Sequence, residues 1–178
     1  MTRDEGLARL RALGLSVTDA GVLWEHFDAA ERSGKDGHGH ARIAWLETQA
    51  FDSRAKPRRV SAETGYERWD GCGALGYLTL AAIVSTLLEE PPPRARLVVA
   101  ERCFPTGVLG YWARALAEGG LVAVVTATSP RRLPHPSGGE PLTGTNPLAI
   151  AVPSSDGRPL VADVSMGAVT HGDVLAGR

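Results

Sequence analysis

A chain of 178 residues that is 43% hydrophobic and 22% charged can bury a core of its own and sits in the ordinary globular range. With 19 basic against 20 acidic side chains the formal net charge is -1, so no long-range field gathers nucleic acid or an anionic membrane surface, and no apolar run approaches the roughly 18 residues of a bilayer span. Cys72 and Cys103 are too few and too isolated for a disulfide framework or a structural zinc site, and the first residues lack a signal-peptide core; both features point to a cytoplasmic protein with reduced thiols.

Leu7, Leu10 and Leu13 make a helical stripe within Thr2 to Leu13, closed by Gly14. Ser16 to Asp19 then reads as the N-cap of a longer helix, Ala20 to Arg32, with Val22, Leu23, Phe27 and Ala30 on one face. The following stretch, SGKDGHGHAR, breaks the pattern with three glycines and gathers Lys35, Asp36, His38, His40 and Arg42 before an apolar stripe restarts at Ile43 to Leu46. It admits three readings: a solvated polar loop, a metal site lacking a visible third ligand, or a substrate or cofactor loop in which the forked guanidinium of Arg42 clamps a carboxylate.

Pro57 to Arg68 is polar, with extended pieces around Val60 and Tyr66, and Trp69-Asp70-Gly71 reads as a turn. A helix follows from Leu75 to Glu90, apolar nearly all round and so expected to be buried, and Pro91 to Pro93 end it. Leu97 to Ala100 is a short apolar strand, Gly107 to Glu118 a helix with Val108, Leu109, Trp112 and Leu116 inward, and Leu121 to Thr126 a second buried strand. Gly138, Gly139, Pro141, Gly144, Thr145, Asn146 and Pro147 then form a punctuated loop that enters the strand Leu148 to Val152, which turns into Leu160 to Val164. Such a loop suits a small anionic or nucleotide ligand, and it equally suits a tight connection between strands. The expected fold class is α/β: a helical N-terminal arm with the His/Gly loop over residues 1–70, then an α/β body over 71–178 whose four apolar strands are adjacent in one mixed sheet with flanking helices.

The runs GKDGHGHARIAWL, GALGYLTLAA, GVLGYWARALAEGGLVAVVTATS, GGEPLTGTNPLAIAVP and PLVADVSMGAVTHG, in this order and spacing, resemble the type 2 malate/L-lactate dehydrogenase family. Ureidoglycolate, sulfolactate and cyclic-imine 2-carboxylate oxidoreductases belong to the same family. The likeness spans Ser16 to Leu175 and is most specific at GTNPLAIAVP followed by the PLVAD strand. It implies an oxidoreductase using NAD or NADP on a non-Rossmann fold, working as a homodimer on a small 2-hydroxy or 2-oxo acid. By the same resemblance Asp36, His38, Gly39 and Arg42 fall on the family's Asp-Ser-His-Gly…Arg loop, with Arg42 and Asp36 at the substrate; because the position of the family's acid histidine reads Pro105, His38 is the motif-placed catalytic group that would substitute for it. Gly144, Thr145, Asn146, Pro147, Asp163 and Ser165 fall in its cofactor-binding region, within a body that reads as an incomplete cofactor-binding domain. No metal is implied.

Three features depart from the family pattern. The loop serine is Gly37, the position of the family's acid histidine is Pro105, which has no proton to exchange, and Arg178 falls about half-way along the family's length. These leave three readings: an oxidoreductase represented by its N-terminal half, a non-catalytic relative acting as a binding or assembly subunit, or a non-redox acid/base enzyme on a carboxylate substrate with His38 as base.

Overall fold

In a computed structural model, residues 1–135 and 137–167 are described; Ala168 to Leu175, the end of the stretch that carries the resemblance, lies outside them. The chain forms two compact units, Met1–Gly107 and Val108–Arg178. A parallel strand pair needs a crossover connection, and the helix that makes it holds residues 71–107 to the first unit.

The first unit opens with α1 (Arg3–Ala12) and α2 (Val17–Arg32). Thr2 and Glu5 close α1 with a reciprocal capping box, and the Ser16 hydroxyl accepts from the Asp19 amide at the start of α2, so each helix begins where its side chains satisfy orphan amides. Ala20, Leu23, Trp24, Phe27 and Ala30 of α2 are buried. A 3₁₀ turn at Asp36–His38 leads into the short α3 (Ala41–Leu46). β1 (Arg58–Glu63) pairs antiparallel with β2 (Tyr66–Asp70), and β2 pairs parallel with β3 (Leu97–Glu101) across α4 (Gly76–Glu89).

Three expectations change here. Trp69 and Asp70 belong to β2 and not to a turn; the chain turns at Gly71, whose amide donates to the Glu101 carbonyl. β2 reads as polar because of Glu67, yet Glu67 is buried and accepts from Arg96 Nη1 at 2.6 Å and Trp69 Nε1 at 3.0 Å. An arginine 29 residues away thus lets a carboxylate occupy an inward strand position. With β2 as its partner, β3 lies in the first unit's sheet and is not adjacent to the later strands. Finally, α4 keeps an open side: Leu80, Ala81 and Ala82 are half-buried and Leu88 is exposed.

The second unit holds α5 (Leu109–Glu118), β4 (Ala123–Thr126), a two-strand ladder of β5 (Leu133–Pro134) and β6 (Pro141–Thr143), and the hairpin β7 (Leu148–Val152) and β8 (Leu160–Val164). β4, β7 and β8 form an antiparallel sheet in that order, with α5 packed on it. Ala149 and Ala151 are fully buried while Leu148, Ile150 and Val152 between them are exposed. β4 is likewise covered on one face only, with Val124 65% exposed, which corrects its reading as a buried strand. No helix among the described residues is long and apolar enough to cross a membrane.

Candidate active site

The His/Gly stretch is helical rather than extended. His38 N donates to the Lys35 carbonyl, Gly39 N to Asp36, and Arg42 N to Gly39, so the 3₁₀ turn opened by Asp36 runs almost directly into α3. His40 goes to a structural role: its ring stacks on Trp24 at 4.8 Å, its Nε2 lies 3.3 Å from Asp28 Oδ1, and its amide donates to Glu31 Oε2 at 2.8 Å. Among the described residues, no three His, Cys, Asp or Glu side chains gather as a metal-ligand set.

Arg42 turns inward. Its side chain is 6% exposed, the guanidinium lies 5.0 Å from the centre of the Trp45 ring, and Nε has no hydrogen-bond partner. No carboxylate among the described residues pairs with it. A buried guanidinium left without an anion costs several kcal/mol.

Around Arg42 stand groups that the sequence reading passed over. Tyr77 of α4 is fully buried; burial pushes its phenol up to about 12, with the Arg42 charge pulling the other way. His26 of α2 is also fully buried and meets the Tyr77 ring edge-on at 5.0 Å. Burial first, then the charge of His38, push the His26 imidazole down to about 3, so it is neutral at physiological pH. The loop before α5 closes this cluster. Gly107 has φ +72, and a Cβ there would overlap His26 Nε2 and Tyr77 Cε1. The signal for His26 was present in the sequence: it sits three residues after Leu23 and four before Ala30, on the apolar stripe of α2. Tyr77 and Gly107 carried no local signal. Pro105 packs at the start of α4, where a Cβ on Gly76 would fall 2.6 Å from its carbonyl oxygen. That loop itself brings no titratable side chain at Pro105; the imidazole packed against it is His26, at Gly107.

The expected cofactor residues lie in the second unit and are tied to one another. Asn146, at φ +37, accepts from the Ser129 amide at 3.1 Å and donates to Thr143 Oγ1 at 2.9 Å. The Asn146 amide donates back to Ser129 Oγ at 3.2 Å, and Thr145 Oγ1 lies 3.3 Å from that oxygen. The Thr145 carbonyl accepts from Met166 N at 2.8 Å, and the Pro147 carbonyl accepts from Thr126 Oγ1 at 3.0 Å. Gly144 is buried, and a Cβ on it would overlap the Ser129 carbonyl. Ser129, which the sequence reading missed, is therefore the counterpart of the whole clasp. Asp163 lies beneath the first turn of α5, where a Cβ on Gly110 would come 2.9 Å from Oδ2, and a carboxylate at a helix N-terminus is favoured by the peptide dipoles. Ser165 is exposed and donates to the Gly167 carbonyl at 3.1 Å.

A family model described as malate/L-lactate dehydrogenase matches residues 3–178. A Delta(1)-pyrroline-2-carboxylate/Delta(1)-piperideine-2-carboxylate reductase of Pseudomonas syringae pv. tomato is 32% identical over 166 residues, covering 90% of this chain and 48% of the relative. A (2R)-3-sulfolactate dehydrogenase (NADP(+)) of Chromohalobacter salexigens is 31% identical over 177 residues, covering 95% and 52%. The crystal structure of delta1-piperideine-2-carboxylate reductase from Pseudomonas syringae superposes on 98% of this chain and 54% of its own with a TM-score of 0.82 at 29% identity. The chain thus spans about half the length of the curated relatives it matches. A match from residue 3 to residue 178, joined to a shared fold, makes this chain a member of the malate/L-lactate dehydrogenase family.

Proposed function

We propose that the chain carries the substrate site of an NAD(P)-dependent oxidoreductase acting on a small 2-hydroxy or 2-oxo acid, within a cytoplasmic homodimer. The observation that carries this reading is Arg42, a buried guanidinium with no carboxylate of its own among the described residues. In the proposal Arg42 takes the substrate carboxylate through a two-pronged hydrogen bond. Asp36 borders the site, and His38 holds the proton that moves to or from the 2-oxygen. His26, kept neutral by burial, leaves His38 as the imidazole for that task. Tyr77 and Trp45 form the apolar wall that excludes water, which strengthens the pairing with Arg42.

When bound, NAD or NADP supplies or accepts the hydride. The clasp around Asn146 fits such a group in a restricted way. Gly144 and the Asn146 amide hold the loop itself and Asp163 faces the first turn of α5, so in this reading the cofactor meets Thr145, Pro147 and the exposed Ser165, with Asp163 supporting them from beneath. In this reading the second unit is part of a cofactor-binding domain of non-Rossmann type, and α1 and α2 form an arm on the substrate side.

Isothermal titration with oxalate, a non-reacting mimic of a 2-oxo acid, tests the site. Arg42→Ala should weaken oxalate binding by roughly 100-fold, the loss of a charge-assisted pair, with far-UV circular dichroism unchanged. Equal affinity in the variant refutes the assignment. A second reading, a binding or assembly subunit, is favoured by Pro105 and Gly37, which bring neither an exchangeable proton nor a hydroxyl. Oxalate binding without NAD(P)-linked turnover on any 2-oxo acid would decide for it.

A further inference from the structure

Tyr77, in the first turn of α4, is 1% exposed. Its ring meets His26 at 5.0 Å and Phe27 at 5.2 Å, both edge to face, and its Cε1 would lie 2.4 Å from a Cβ on Gly107. A phenylalanine would make every one of these contacts. What tyrosine adds is the hydroxyl, and a buried phenol normally finds a hydrogen-bond partner. No described residue hydrogen-bonds it. The guanidinium whose charge acts on this phenol is Arg42, and the Nε of Arg42 is equally without a partner. Native interiors leave few such groups, and two that lie within electrostatic reach of one another are satisfied most simply by one ligand that both touch.

We propose that Tyr77 is a substrate-contacting residue whose hydroxyl donates to the same carboxylate that Arg42 holds. This rests on the reading of Arg42 given above and extends it. An ionised carboxylate only accepts, and offers about four lone-pair positions. A two-pronged guanidinium occupies two of them, which leaves room for a third donor. The phenol is suited to that task because burial keeps it protonated, with its value pushed up to about 12, so it donates at every physiological pH. A donor on α4 beside a cation on α3 fixes the rotation of the acid, which neither group does alone. The ring remains the wall of the site, and the oxygen at its tip becomes part of the anion's cradle. His38 on the 3₁₀ turn is then left to the proton on the 2-oxygen.

Isothermal titration with oxalate tests the proposal on the wild-type chain, Tyr77→Phe, Arg42→Ala and Tyr66→Phe. Tyr77→Phe should weaken binding by roughly 10- to 100-fold, the loss of one hydrogen bond to a charged group. Its thermal midpoint should stay level or rise, since a buried hydroxyl without a partner has been removed. Tyr66→Phe, a half-buried position on β2, should bind as the wild type does. Propionate, which has a carboxylate but no oxygen on C2, should lose affinity for Tyr77→Phe by the same factor when measured by displacement of oxalate. Unchanged oxalate affinity in Tyr77→Phe, with binding lost in Arg42→Ala, overturns this proposal and leaves the reading of Arg42 intact. A chain that takes up no oxalate, or takes it up equally after Arg42→Ala, removes both. A lowered midpoint in Tyr77→Phe assigns the hydroxyl to the fold, and a loss confined to oxalate assigns it to the 2-oxygen; either result overturns the shared carboxylate.

Discussion

Gly107→Ala is the sharpest probe of how the fold packs the cluster of His26 and Tyr77 beside Arg42, because two independent penalties meet at one atom. With φ at +72, any residue bearing a Cβ sits in the left-handed region, at about 1–3 kcal/mol for a non-glycine residue. The added carbon also overlaps His26 Nε2 and Tyr77 Cε1, and forcing a packed interior apart adds about 1–3 kcal/mol. The expected loss of stability is therefore about 2–6 kcal/mol, read as a lower urea midpoint at unchanged slope. A double-mutant cycle separates the two penalties. His26→Ala removes the ring that the methyl strikes, so the pair His26→Ala/Gly107→Ala should be non-additive by at least about 1 kcal/mol, while the backbone penalty stays. Oxalate affinity should fall in the single Gly107 variant as well, since Tyr77 is displaced beside Arg42. A loss under about 1 kcal/mol, or strict additivity in the cycle, would show that His26 does not pack on this loop and would remove it from the site.

Glu67→Ala should destabilise by about 3–5 kcal/mol in chemical denaturation, because it leaves Arg96 without its acceptor at a buried position; Glu67→Gln, which keeps an acceptor for Trp69 Nε1, should lose less. Acidification provides a separate test through His26. Its folded value lies at about 3, below the ordinary 6.5, so the unfolded chain takes up the proton first: stability is fully present above about pH 6.5 and is lost as pH falls towards 3, by a few kcal/mol in order of magnitude. His26→Phe should flatten that limb of the stability profile; an unchanged slope refutes burial of the imidazole.

Helices α1, α2, α4 and α5 were legible because their information is local. Ser16 caps within three residues of the amide it satisfies, and an apolar stripe such as Leu23, Phe27 and Ala30 repeats within a turn or two. The strands β3, β4, β7 and β8 were legible for the same reason, as short apolar runs between turn residues. The family resemblance placed Arg42 in a loop worth inspecting; its orientation and its lack of a carboxylate partner came from the packing of α3.

What the chain's letters settle by themselves is the type and order of most elements, since capping, periodicity and turn chemistry act over a few residues. Partnership acts over tens of residues, and only the tertiary structure decides it. β3 joins Tyr66–Asp70, where Arg96 pairs with the buried Glu67, so the four apolar strands divide between two sheets. His26 is packed against the loop before α5 because a glycine 81 residues later comes close enough to exclude a methyl group. The same holds for Leu148, Ile150 and Val152: their hydrophobicity reads as core, but α5 can cover only one face of a strand, and the side chains that alternate away from it remain in water.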